Sequence, residues 1–162
     1  MQKNVLVAAI SVVGVAAAAQ GAVIVYSFDI DGLQEVSPVA TPGFGSATVT
    51  LDTTLNTLSW NIQWQNLLGA TTAMHFHGDA PIGVNAGVQI NVGAISGLVS
   101  PSIGMAPITD LQEASIINGL WYVNIHSTVH PGGEIRGQVV PAPASAALLG
   151  MAGLGVMRRR RA

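Results

Sequence analysis

The clearest pattern of hydrophobic and polar positions along the chain lies between residues 121 and 139. Val123 and Ile125 alternate there with polar residues, and the alternation resumes at Ile135 after Pro-Gly-Gly at 131–133. Alternation with a period of two gives a strand one apolar and one polar face, and a Pro-Gly pair favours a tight turn. We therefore predict a β-hairpin whose polar face carries Tyr122, Asn124, His126, Glu134 and Arg136.

Similar alternation predicts further strands at 23–30, 46–51, 57–64 and 72–78. In the third of these, Trp60 and Trp64 share an apolar face with Leu58 and Ile62, which indicates core packing rather than a sugar platform. The segment 84–99 predicts one or two short strands, at 87–92 and 96–99, and 101–107 predicts a loop. The regular spacing of short strands indicates an antiparallel β protein.

One segment breaks the strand pattern and predicts a short helix between Thr109 and Gly119. Its start fits a capping box in either of two registers, Asp110 with Glu113 or Thr109 with Gln112. Leu111 and either Ile116 or Ile117 are expected to face the core. The predicted fold is therefore all-β, an antiparallel Ig-like or superoxide-dismutase-like β-sandwich or barrel with one short helix.

Both ends of the chain differ in composition from the middle. Residues 1–19 contain Lys3, an apolar run and three alanines before Gln20, which predicts a secretory signal peptide cleaved near Ala19. Residues 141–162 contain a Pro-rich break, an apolar run too short for a comfortable membrane span, and a block of four arginines. The remaining segment, 22–140, is expected to form one domain.

The C-terminal segment resembles the bacterial PEP-CTERM sorting signal. The resemblance rests on Val-Pro-Ala-Pro-Ala-Ser at 140–145, the apolar run that ends at Met157, and Arg158–Arg161, with Ala142 where a Glu is usual. It implies transient membrane association through the tail, cleavage by an exosortase-type peptidase, and display at the cell surface or in the extracellular matrix. A simple membrane anchor is the alternative interpretation.

Charge and cysteine content narrow the function classes. Between residues 20 and 140 the chain has eight acids, one cation (Arg136) and no lysine, a formal charge of −7. Such a domain is not expected to bind nucleic acid, because phosphate neutralisation requires several cations. The chain has no cysteine, so an exported domain must depend on its core rather than on disulfides.

Several motifs in the right order resemble the CHRD domain, which occurs repeated in chordin and singly in many bacterial exported proteins. They are Glu-Val-Ser-Pro at 35–38, His-Phe-His-Gly at 75–78, the predicted helix, Tyr-Val-Asn-Ile-His at 122–126 and Gly-Gly-Glu-Ile-Arg-Gly-Gln at 132–138. The resemblance implies a β-sandwich-like fold and no established reaction. It suggests a surface or matrix module that binds an extracellular protein or polysaccharide.

Three histidines carry the main chemical hypothesis. His75 and His77 are two apart on a predicted strand and point the same way, and His126 lies on a polar face elsewhere. Three imidazoles with an open fourth position suit Zn²⁺ or Cu²⁺. We consider Tyr122, Glu134 or Asp79 for the fourth ligand or for the residues around the ligands.

The competing hypothesis is a structural polar layer, in which the histidines hydrogen-bond with Tyr122, Asn124, Glu134 and Arg136. In that layer Arg136 pairs with Glu134 or Asp79. The His-x-His pattern is also loosely similar to Cu/Zn superoxide dismutase, but counterparts of its zinc ligands and disulfide are not visible. The sequence therefore predicts no catalysis, with metal-dependent redox activity as the alternative.

Overall fold

A computed structural model describes residues 21–140, and the predicted signal peptide and sorting signal lie outside the described residues. Eight strands form the described part, together with two α-helices and a single 3₁₀ turn at Gly32–Gln34. The strands are β1 Val23–Asp31, β2 Phe44–Asp52, β3 Thr57–Gln65, β4 Thr71–His77, β5 Val88–Asn91, β6 Ser102–Pro107, β7 Tyr122–Ser127 and β8 Ile135–Gln138. The helices are α1 Val92–Ser96 and α2 Asp110–Ile117.

All eight strands belong to one antiparallel sheet with the order β5-β4-β7-β8-β1-β2-β3-β6. The sheet curls into a nearly closed barrel, and α1 connects its two edge strands while packing against β4 and β6. Ser96 of α1 hydrogen-bonds Ser102 of β6, and the indole Nε1 of Trp60 donates to Ser96 Oγ at 3.0 Å. The predicted all-β antiparallel fold is confirmed.

The inner face of the sheet forms one hydrophobic core. Trp60 and Phe76 meet inside the barrel with their ring centroids 5.5 Å apart, although β3 and β4 are far apart in the sheet order. Trp60 and Trp64 are both buried in this core, as the alternation in β3 predicts. At about 25 cal/mol per Å² of apolar surface, such burial is the main source of stability in a domain without disulfides.

Two segments differ from the sequence-based prediction. Of the two strands predicted in 84–99, the one at 87–92 is present as β5, but 96–99 is not a strand. Residues 92–96 form α1, because the Asn91 side chain accepts a hydrogen bond from Ala94 N at 3.0 Å and caps a helix. The predicted loop at 101–107 contains β6. Its apolar Ile103 and Met105 point outward, while Gly104 faces the Trp60 ring, so hydrophobicity does not mark the inner face there.

The helix predicted near residue 110 is present as α2. Thr109 and Gln112 form its capping box, which selects one of the two registers considered. Ile116 is buried, but Leu111 is 84% exposed, so the expectation that it faces the core was wrong. Within residues 21–140, no helix is both long enough and apolar enough to cross a membrane.

Candidate metal centre

The three predicted histidines lie together on the outer face of the sheet. In the antiparallel register of β4 and β7, His77 is opposite Tyr122 and His126 is opposite Ala73. Met74 and Phe76 point into the core, so His75 and His77 point out of it. Local alternation thus sets the direction of each imidazole, and pairing of β4 with β7 brings His126 to the other two.

The distances in this cluster suit a small metal ion. His75 Nδ1 lies 3.2 Å from His126 Nε2, and one ring nitrogen of each histidine lies within 4.8 Å of those of the other two. Zn–N bonds of 2.0–2.1 Å in a tetrahedral site place the nitrogens about 3.4 Å apart. The His75–His126 pair is near this spacing, and the His77 nitrogen lies within 4.8 Å of both.

Backbone carbonyls determine which nitrogens of two rings are available. His77 Nδ1 lies 3.0 Å from the carbonyl oxygen of Ala86, and His126 Nδ1 lies 3.0 Å from that of Pro131. A carbonyl only accepts hydrogen bonds, so Nδ1 carries the proton in each neutral ring and Nε2 presents its lone pair. In His126 this lone pair accepts a hydrogen bond from His75 Nδ1 at 3.2 Å. Nε2 of His77 is buried and has no hydrogen-bond partner within residues 21–140.

Burial favours the neutral form of all three rings. Desolvation lowers the pKa of each histidine below its usual value of 6.5. For His75, the neighbouring rings of His126 and His77 lower the pKa further, because adjacent positive charges repel. Neutral imidazole is the form that ligates metals, so the cluster needs to release few protons to bind an ion at neutral pH.

Tyr122 and Arg136 extend this polar face from the histidines. The Tyr122 ring lies parallel to the His77 ring with centroids 5.0 Å apart, and Arg136 Cζ is 3.4 Å from the Tyr122 centroid. Because β7 lies between β4 and β8, the phenol ring stands between imidazole and guanidinium. A cation over an aromatic face is attracted to its π-electrons.

Arg136 is only 1% exposed, and neutral groups satisfy its guanidinium. It donates to the carbonyl of Val84 at 2.9 Å, to Asn85 Oδ1 at 3.1 Å and to Gln138 Oε1 at 3.3 Å. The loop 78–87 thereby covers this part of the sheet. The predicted pairing of Arg136 with Glu134 or Asp79 was therefore wrong, and the guanidinium bonds to backbone and amide oxygens instead.

Two predicted members of the cluster lie elsewhere. Glu134 Oε1 accepts from Thr41 Oγ1 at 2.5 Å and from Leu68 N at 2.7 Å, away from the histidines and Arg136. Gly133, with φ of +129°, introduces a bend before β8, so the alternation that predicts a shared face does not extend to Glu134. Asp79 instead accepts hydrogen bonds from Ser115 and from Trp121 Nε1.

Glu35 is a buried member of this layer that the sequence analysis did not assign to it. Its Oε2 accepts from Asn124 Nδ2 at 3.2 Å, and Asn124 lies opposite His75. Burial raises the pKa of Glu35 to about 7, although Arg136 and Asn124 act in the opposite direction. The available signal was an acid in a Pro-rich connector, within the motif at 35–38.

The arrangement has the parts of a three-histidine metal site. Two rings are held by hydrogen bonds from Nδ1 to carbonyl oxygens, the usual way in which proteins orient ligating histidines. Tyr122 stacks on the His77 ring, Arg136 lies on the far side of Tyr122, and Asn124 is opposite His75. The donor set of three neutral nitrogens suits Zn²⁺ or Cu²⁺ better than Mg²⁺ or Ca²⁺, which prefer oxygen ligands.

Comparison with known proteins identifies the family. The chain matches the CHRD domain over residues 26–139, which is most of its length, and it belongs to this family. CHRD domains are typically extracellular, so membership indicates an extracellular or secreted module. No curated protein and no solved structure matched the chain.

Proposed function

We propose that this protein is an exported CHRD module whose functional centre is a divalent-metal site formed by His75, His77 and His126. The ion is Cu²⁺ or Zn²⁺, and Cu²⁺ binds more tightly on the general affinity order of these metals. The predicted signal peptide and sorting tail support display at the cell surface or in the extracellular matrix. There the module binds an extracellular protein or polysaccharide.

The protonation pattern of the histidines carries this proposal. In a purely structural polar layer, each buried ring nitrogen should have a hydrogen-bond partner. His77 instead has a buried Nε2 without one among the described residues, while its Nδ1 is anchored to Ala86. An imidazole held in this way is oriented for a ligand at Nε2.

The structural interpretation applies better to the neighbouring side chains. Tyr122 stacks between His77 and Arg136, and Arg136 closes the loop 78–87 onto the sheet through three hydrogen bonds. We infer that these residues support the metal site rather than ligate the ion. The proposal assigns no catalysis to the site.

The decisive experiment measures metal content and affinity of the purified full-length chain. Elemental analysis and calorimetry with Cu²⁺ and Zn²⁺ are expected to give one ion per chain. The His75→Ala/His77→Ala double variant is expected to lose binding by about 1,000-fold or more, since two of three ligands are absent. His130→Ala is the matched control, because His130 lies in the turn before β8 and outside the cluster.

Each result has a clear meaning. One equivalent of metal that the double variant loses, and that His130→Ala retains, supports the site. Absence of binding, or equal binding by the double variant, contradicts it and leaves the histidines with a structural role. If the copper-loaded chain consumes superoxide, the assignment of a binding module without catalysis is wrong.

A further inference from the structure

A second surface feature lies on the outer face of the sheet, at one end of β1, β2 and β3. It is a depression of 410 Å³, within the range of about 300–1,000 Å³ found for small-molecule sites. Its outward-pointing side chains are Asp29, Phe44, Ser46, Gln63 and Gln65. None of these residues takes part in the histidine cluster.

Strand register explains why these residues form one surface. Asp29 of β1 is opposite Ser46 of β2, which in turn is opposite Gln63 of β3. Phe44 and Gln65 form the next outward-facing pair of β2 and β3. The residues between them along each strand, such as Ile30 and Ile62, are buried in the core. The depression is therefore built on rigid, paired strands.

The chemistry of the depression combines one aromatic ring with free polar groups. Phe44 is 47% exposed, a large fraction for a phenylalanine. In the part of the chain that the structure describes, the side chains of Asp29, Gln63 and Gln65 make no hydrogen bond to another residue. They present carboxylate and carboxamide groups, which donate to and accept from vicinal hydroxyls.

Charge limits the kind of ligand. Between residues 20 and 140 the only cation is Arg136, which is buried on another part of the sheet, and Asp29 adds a negative charge to the depression. An anionic ligand would be repelled. Polar hydroxyl-binding groups around one apolar ring favour a ligand that carries many hydroxyls and also has an apolar C–H face.

We propose that this depression binds a neutral oligosaccharide. Phe44 stacks against the C–H face of one sugar ring, and Gln63, Gln65 and Asp29 hydrogen-bond its hydroxyls. The site is separate from the metal centre, so it gives an extracellular module a second, independent means of attachment.

The test is calorimetry of the full-length chain with four neutral hexasaccharides: cellohexaose, xylohexaose, maltohexaose and fully N-acetylated chitohexaose. At least one is expected to bind, and an alginate hexamer, which is anionic, is expected not to bind. Phe44→Leu, which keeps an apolar side chain but removes the ring, should weaken binding by about ten-fold or more. Phe44→Tyr should retain it, because it keeps the ring.

Two controls separate this site from the rest of the molecule. Ile103→Ala removes an exposed apolar side chain of β6 outside the depression and should leave binding unchanged. The His75→Ala/His77→Ala variant should also bind normally, so failure of the metal proposal does not affect this one. No binding of any neutral hexamer, preferential binding of alginate, or full binding by Phe44→Leu would overturn the proposal.

Discussion

The two halves of the outer sheet surface have similar polarity in sequence and very different environments in the structure. The outer face of β4, β7 and β8, here called the covered half, lies under the loop 78–87 and the connector that carries Glu35. The outer face of β1, β2 and β3, the open half, is lined by exposed residues such as Ser46, Thr48 and Gln63. Polar residues predominate on both faces, although Val23, Val25 and Phe44 are exposed on the open half.

The difference shows that burial under loops, rather than residue type alone, shifts the pKa values of polar side chains and fixes their contacts. Under the loops, burial raises the pKa of Glu35 and lowers the pKa of the three histidines. Arg136 is also buried there and packs on the Tyr122 ring. On the open half, polar side chains remain solvated and available to a partner. Desolvation strengthens electrostatic interactions and makes every unpaired group costly.

The largest effect is expected for Arg136→Ala in the covered half. The substitution leaves the carbonyl of Val84, the amide of Asn85 and the amide of Gln138 without their donor. We expect it to lower the free energy of unfolding by about 3 to 4 kcal/mol, measured by urea denaturation. Arg136→Lys should recover part of this, since it keeps the charge but loses the planar fork. A loss below about 1 kcal/mol would contradict the role assigned to the loop contacts.

The next largest effect is expected for Glu35→Gln, which should raise the free energy of unfolding in a pH-dependent way. The folded-state pKa of Glu35 is raised from 4.5 to about 7, so below pH 4.5 the group is protonated in both folded and unfolded chains. As the pH rises from 4.5 to 7, the unfolded chain ionises first and stability falls, by up to about 3 kcal/mol. The variant avoids this loss.

Denaturation at pH 4 and pH 8 tests this. The two chains should be equally stable at pH 4, and Glu35→Gln should be more stable at pH 8. A Gln side chain can also donate to Asn124 Oδ1, which is buried and without a partner in residues 21–140. Equal stability at both pH values would show that Glu35 is not desolvated in the folded protein.

A third prediction is that metal binding raises the free energy of unfolding, and that only substitutions in the covered half remove this gain. At a metal concentration 100 times the Kd, binding should stabilise the fold by about 2.7 kcal/mol. His77→Ala should abolish this gain, while Thr48→Ala in the open half should keep it. Because burial lowers the pKa of each histidine, the gain should persist to a lower pH than it would for exposed imidazoles. The same gain in His77→Ala would place the metal elsewhere.

The smallest effect is expected in the open half. Thr48→Val on β2 should change the free energy of unfolding by no more than about 0.5 kcal/mol, since Thr48 is exposed. Asn124→Leu is the matched change in the covered half, and it should cost about 2 kcal/mol because it leaves Glu35 without its donor. Similar losses at both positions would remove the distinction between the two halves.

Much of the fold was predictable because its signals are local. Alternation in β3 and β7 correctly assigns Trp60 and Ile125 to the core, and the two candidate caps of α2 include the right one. β6 was missed because its small residues face inward and its apolar ones outward. Glu134 was placed on the wrong face, since the bend at Gly133 interrupts the period of two.

The sequence by itself determined the directions of the side chains along strands with clear alternation, such as β3, β4 and β7, including the shared face of His75 and His77. Only the tertiary structure decided which groups those side chains meet. His126 reaches His75 from 51 positions away, and Glu35 reaches Asn124 from 89 positions away. The reason is physical: alternation depends on neighbouring residues, whereas strand pairing and loop coverage depend on how the whole chain closes around its core.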